Sequence, residues 1–259
     1  MVKGLYTAYT GMINEQNRMD IMTNNLANAS TVGYKKEGST SQSFDDVLTV
    51  KIKDQSVGMR NVQRLGVKNP GVKIGENYTD YSQGSFRITG NTYDLALSGE
   101  GFFAIEFTNK AGETDTKYTR AGQFTLNKDG YLVTEEGDYV LDTQNRRIRL
   151  NTLIDSSITD DVTIYQNGQA VAKIQVTDFE DYDYLEKYGE TYYQPIQGAK
   201  TIAAKAQVKS GYLEMANVQI VSEMVNLISI TRAYESNQKV VQTIDDTLDV
   251  AVNQIGRVQ

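Results

Sequence analysis

Thirty-three Asp and Glu residues are the only abundant side chains of catalytic type in this 259-residue chain, which has no histidine and no cysteine. A Ser-His-Asp or Cys-His nucleophile, a histidine base and a Cys/His zinc site are therefore excluded. Carboxylates alone could still serve a glycosidase, with Glu100 paired to Asp94 or Glu106. Such a pair needs its carboxyl groups ~5–9 Å apart across a cleft, and proximity along the chain does not supply a cleft. No Gly-rich phosphate loop is present. The acidic, tyrosine-rich run from Asp178 to Tyr193 places Gly189 wrongly for a calcium loop and reads as a solvated loop or a subunit contact. The expectation is no catalytic, cofactor or metal site. A net charge of -7 also disfavours nucleic acid and anionic membrane surfaces, which bind by releasing counterions to cationic partners.

The long elements are at the chain ends. From Asn217 to Ile255, Ile220, Met224, Leu227, Tyr234, Val241, Leu248, Ala251 and Ile255 fall on heptad spacing, with Thr231 and Gln238 filling two seam positions. Asn217 is the expected N-cap and Gly256 the expected stop of one helix, about 38 residues and roughly 57 Å long. Glu223, Arg232, Glu235, Lys239, Asp245, Asp246 and Asp249 exclude a membrane span. At the other end Leu5, Tyr9, Met12, Gln16, Met19, Thr23 and Leu26 form a second seam. Isolated helices of this kind are marginal in water, so both require protein partners. The first residues lack the apolar run of a secretory signal peptide, so any export is expected by another route.

Between the helices the pattern changes. Asn24 to Lys35 reads as a helix stop and turn, with Asn28 and Gly33 able to take positive φ. Val47 to Lys53 alternates like one arm of an extended hairpin, and Asn69-Pro70-Gly71 is a turn. From Gly71 to Gly211 short strands alternate with Gly90-Asn91, Asp129-Gly130, Glu136-Gly137 and Asn167-Gly168 turns. The expected class is α+β: residues 1–34 and 212–259 give the helices of a coiled-coil domain, 35–70 an extended β-hairpin linker, and 71–211 a mainly antiparallel all-β outer domain.

Three groups of residues resemble the bacterial flagellar rod and hook protein family. The first runs from Gly4-Leu5-Tyr6-Thr7-Ala8 through Asn24, Asn25, Leu26, Ala27 and Asn28 to Thr31, Gly33, Tyr34 and Lys35. The second is Ala96-Leu97-Ser98-Gly99-Glu100-Gly101-Phe102-Phe103 with Tyr118-Thr119-Arg120-Ala121-Gly122-Gln123-Phe124. The third comprises Ser210-Gly211-Tyr212-Leu213-Glu214-Met215-Ala216-Asn217 and Arg232-Ala233-Tyr234-Glu235-Ser236-Asn237-Gln238-Lys239.

The resemblance implies a structural subunit of the flagellar basal body, not an enzyme. It implies helical self-assembly into a hollow drive shaft carrying torque to the hook, and export by the flagellar type III system without a cleaved signal peptide. Other rod proteins, the hook protein and envelope bushing rings are the implied partners. Phe44-Asp45-Asp46-Val47-Leu48 and the Arg232 segment favour the distal-rod member, with its proximal-rod relative as the alternative. A coiled-coil adaptor of an envelope complex is the reading from a different class. The expected assembly surface is Leu5, Tyr9, Met12, Met19, Leu26, Met224, Leu227, Tyr234, Val241, Leu248 and Ile255.

Overall fold

The computed structural model describes residues 2–52, 62–109 and 112–255. The chain divides into two compact units. One is Met1–Leu26, Glu37–Asp80 and Ile220–Gln259, and the other is Ala27–Lys36 and Tyr81–Gln219.

In the first unit, helix α1 spans Val2–Ala27 and helix α2 spans Ile220–Val250, followed by a π turn Ala251–Ile255. The expected long C-terminal helix is present but starts at Ile220. The Asn217 carboxamide instead accepts from Lys36 N at 2.8 Å and donates to Ser82. The Gly256 stop and the Lys53 end of the hairpin arm lie outside the described residues. Strand β1 (Glu37–Ser43) pairs antiparallel with β4 (Val72–Thr79), and β2 (Val47–Ile52) with β3 (Val62–Lys68).

Helix α1 meets this ribbon through polar groups. Thr7 donates to Pro70 O at 3.2 Å, Ser41 donates to Asn14 Oδ1 at 3.1 Å, and Asn25 clasps the backbone of Glu37 through both carboxamide atoms, at 2.7 and 2.9 Å. Gly71, with φ of +138°, lies so close that an added Cβ would sit 2.2 Å from Thr10 Oγ1. Thr7, Thr10, Asn14, Ile21 and Asn25 thus share one heptad-spaced face, and it is a different face from the apolar seam. The helices approach where α1 has no side chain. A Cβ on Gly4 would meet Ile244 and one on Gly11 would meet Asn237, so the pair runs antiparallel.

The second unit holds the large core. Strand β5 is Phe86–Ile88, β6 Leu95–Ser98, β7 Phe102–Thr108, β8 Thr114–Thr119, β9 Phe124–Leu126, β10 Leu132–Thr134 and β11 Tyr139–Val140. There follow β12 (Ser156–Ile158), β13 (Thr163–Gln166), β14 (Gln169–Lys173), β15 (Val176–Phe179), β16 (Leu185–Tyr188) and β17 (Tyr192–Pro195). The last three are β18 (Thr201–Ala203), β19 (Gln207–Ser210) and β20 (Tyr212–Glu214). The main sheet runs β16-β17-β8-β7-β11-β10-β9, and β15 pairs with β7 and β18.

Central strand β7 is buried on both faces. Phe103 packs with Leu95, Phe124, Leu132 and Val140, whereas Phe102 and Ala104 pack with Tyr118, Leu141, Phe179 and Tyr193. The period of two along a strand assigns neighbouring residues to opposite cores.

The Asn167-Gly168 hairpin forms with both residues at positive φ, 51° and 76°, as a type I′ turn requires. The strands flanking Gly90-Asn91 do not pair with each other: β5 pairs with β20 and β6 with β19, from the returning chain. Turn chemistry reports a reversal, not the partner, so this pairing was not visible locally.

The acidic, tyrosine-rich run is not a solvated loop. Tyr192 and Tyr193 are buried, Tyr182 packs 4.9 Å from Tyr81, and Asp178 is buried while accepting from Tyr182 Oη at 2.8 Å. Only part of the run stays outside, including Tyr184 and Tyr188.

Burial raises the pKa values of Tyr118, Tyr182 and Tyr192, and the carboxylates of Asp178 and Asp138 reinforce the shift at the last two. Unfolded tyrosines ionise near pH ~10, so above that pH the folded state holds more protons and stability falls. Lys117, lowered by desolvation, opposes this trend, but one lysine acts against three tyrosines. A tyrosinate absorbance titration should show a group of tyrosines ionising only with unfolding. Complete ionisation of all tyrosines in the still-folded chain near pH ~10 would contradict this packing.

Candidate functional site

In the second unit, four chain segments converge on one carboxylate. Glu214, fully buried at the end of β20, accepts at Oε1 from Lys35 Nζ at 2.7 Å and from Gly84 N at 3.0 Å. Its Oε2 is 3.4 Å from the Arg120 guanidinium, and its backbone oxygen accepts from Gly33 N at 2.8 Å. Lys35 also donates to Ser82 O at 2.7 Å, and the Arg120 guanidinium lies 5.2 Å from the Phe102 ring centroid. All three charged side chains are at most 3% exposed.

Glycines let the backbones approach. Gly33 has φ of +70°, and a Cβ there would sit 2.3 Å from Ala121 N; at Gly84 it would sit 1.9 Å from Met215 O. Burying charge is costly unless it is paired and hydrogen-bonded; here Glu214 is met by both cations and Gly84 N, Lys35 also by Ser82 O, while Arg120 Nε is buried without a partner.

The motif residues of the first linker divide their work. Asn25 clasps Glu37 from the end of α1. Asn28 does not adopt positive φ. It makes a turn with Thr31, whose N donates to Asn28 O and whose hydroxyl donates to Asn28 Oδ1, both at 3.1 Å, and its Nδ2 reaches Glu190 at 2.8 Å. Tyr34 is fully buried with Lys187 Nζ 4.2 Å from its ring centroid. Asn24 and Ala27 are exposed and Leu26 is half-buried.

The seam residues lie elsewhere. Tyr9 is 50% and Met224 47% exposed. Leu5, Met12, Met19, Leu26, Leu227, Tyr234, Val241 and Leu248 are half-buried, and Ile255 ends the π turn. Ala8, Ile21 and Ile230 are the buried apolar residues of the first unit among those described. Each helix therefore carries apolar area that its own chain does not cover.

Of the carboxylates weighed for hydrolysis, Glu100 is exposed and the other two are used structurally. Asp94 accepts from Asn91 Nδ2 at 3.1 Å, and Arg147 grips Glu106 with Nε 3.1 Å from Oε2. Lys35 and Glu214 both stand in the motifs that resemble the family, but their union is not legible in the sequence, because the partners are 179 positions apart.

The sequence is similar to known proteins along its whole length. Family models match at residues 5–35 (flagella basal body rod protein), 96–172 (flagellar hook protein FlgE/F/G D1 domain) and 209–255 (flagellar basal body rod FlgEFG protein C-terminal). The flagellar basal-body rod protein FlgG of Bacillus subtilis is 34% identical over 98% of this chain and 99% of its own length. The chain belongs to the flagellar basal-body rod protein family. FlgG of Caulobacter vibrioides is 34% identical over 95% of the chain and 97% of its own length, and rod protein FlgF of the same organism is 31% identical over the whole of both. Membership makes the chain a structural protein of the flagellar basal body rather than an enzyme, and the buried cluster an architectural element.

Replacing Glu214 with Gln leaves two buried cations without their anion. This should destabilise the second unit by about 3–5 kcal/mol, read by urea unfolding; a change under about 1 kcal/mol would show that the cluster does not hold the segments.

Proposed function

We propose that this chain is the distal-rod subunit, polymerising helically into the hollow shaft that carries motor torque to the hook. The observation that carries this reading is the half-exposed apolar seam on both terminal helices, in a chain similar over its full length to rod proteins named FlgG. Two helices that bury almost no apolar residue within their own chain gain most from neighbours, at about 1.5–3 kcal/mol for each large apolar side chain covered. Close-packed helices resist shear, which is what a shaft requires. Contacts that do not close on themselves extend such an assembly indefinitely.

Leu5, Tyr9, Met12, Met19 and Leu26 on α1, with Met224, Leu227, Tyr234, Val241, Leu248 and Ile255 from α2 and its π turn, form the assembly surface in this proposal. Its partners are other copies, further rod proteins, the hook protein and, where the envelope has them, bushing rings. Export proceeds unfolded through the flagellar type III system, which a chain without cysteines passes with no disulfide to reduce. The second reading is the proximal rod, favoured by the FlgF relative that matches end to end.

Replacing Leu227 and Leu248 together by Asp should abolish rod assembly and swimming while leaving the circular dichroism of the β unit unchanged. Normal motility in that double variant would sink the proposal.

A further inference from the structure

Charge is segregated along the helix pair. From Gly4 to Asn14, α1 has no charged residue, whereas Glu15, Arg18 and Asp20 follow. From Ile220 to Thr231 the only charge of α2 is Glu223, which is buried; Arg232, Glu235, Lys239, Asp245, Asp246 and Asp249 come later, all exposed. Apart from Lys3 in the first turn of α1 and the buried Glu223 of α2, each helix therefore has an uncharged first half and a charged second half.

The antiparallel pairing sets these halves at opposite ends. Gly4 beside Ile244 and Gly11 beside Asn237 define the register, which places the uncharged half of α1 beside the charged half of α2 and the reverse. Each uncharged half also bears exposed apolar side chains: Tyr6, Tyr9 and Ile13 at 50%, 50% and 39% on α1, and Val221, Val225 and Ile228 at 76%, 60% and 52% on α2. In that register the two patches are offset by about 14 residues, or roughly 21 Å along the pair.

We infer that these patches are the two halves of one head-to-tail contact between copies, in which Tyr6, Tyr9 and Ile13 of one chain dock on Val221, Val225 and Ile228 of the next, displaced along the axis. The inference rests on the polymer proposed above and specifies its polarity and register. Docking the stretch Gly4 to Asn14 on the stretch Ile220 to Thr231 desolvates no exposed charge, whereas an in-register neighbour would set an apolar patch against the exposed charges of α2. A single contact between patches on different helices, displaced along the axis, is heterologous, and with a rotation that does not close it extends a filament. Most of these residues lie off the heptad seam, which leaves the seam for other neighbours.

Because the chain has no cysteine, introduced thiols are unambiguous reporters. Tyr9→Cys, Val225→Cys and the double variant would be expressed in flagellated cells and their basal bodies oxidised with copper phenanthroline. The contact predicts a ladder of dimer, trimer and higher bands in the double variant, loss of its monomer band, and no cross-link in either single variant. Dimers in a single variant, or an assembled rod of the double variant without a ladder, would overturn it. Should that pair block assembly, Ile13→Cys with Val221→Cys gives the same readout at the neighbouring positions. A wild-type chain absent from basal bodies would instead defeat the polymer reading itself.

Discussion

A single buried carboxylate, Glu214, organises the second unit. Lys35, Arg120 and the backbone at Gly33 and Gly84 all depend on it, and each belongs to a segment distant in sequence. The chain passes between its units after Leu26, Lys36, Asp80 and Gln219, and Lys35, Ser82, Gly84 and Glu214, though not Arg120, lie within five residues of a crossing along the sequence. Hydrophobic burial alone would gather such segments loosely, since it has no direction. Two charge-assisted contacts and one backbone N–H on the carboxylate, with a second N–H on the backbone oxygen of the same residue, fix position as well as proximity. A buried ionic group is weak evidence for stability but a plain means of fixing register.

The two units differ in how they are stabilised. Around β7 the second unit has cores on both faces, with Phe102, Phe103, Phe124 and Tyr193 fully buried, and its fold is explained by its own contacts. The first unit has Ala8, Ile21 and Ile230 as its described buried apolar residues, with Thr10, Asn14, Asn25 and Glu223 as buried polar ones. A threonine and asparagine face suits a β ribbon whose backbone offers hydrogen-bonding groups, and glycines suit close helix approach. Neither supplies much transfer free energy. The helix pair is thus placed by its own chain with little apolar burial, and the proposed assembly would supply the rest.

The sequence was legible where the signal is local. Heptad spacing located both helices, and Asn167-Gly168, Asp129-Gly130 and Glu136-Gly137 marked hairpins, because 3.6 and 2-residue periods and positive-φ turns are written within a few positions. Non-local choices were hidden. Lys35 and Glu214 look like surface charges until the fold joins them, and Thr7, Thr10 and Asn14 look like the wet side of a helix although they are its ribbon-facing side. The tyrosine run misled for a related reason: acidic composition suggested solvent, whereas strand alternation sends Tyr192 and Tyr193 into or beside the core.

Hydrogen exchange of the purified chain, compared with the same chain in the assembled rod, tests the division of stability most directly. The account predicts rapid exchange in α1 and α2 of the free chain, strong protection of both on assembly, and unchanged protection in β7 and its neighbours. Helices already as protected in the free chain as β7 would contradict it, because their stability would then come from within one chain and the seam would not be waiting for a neighbour.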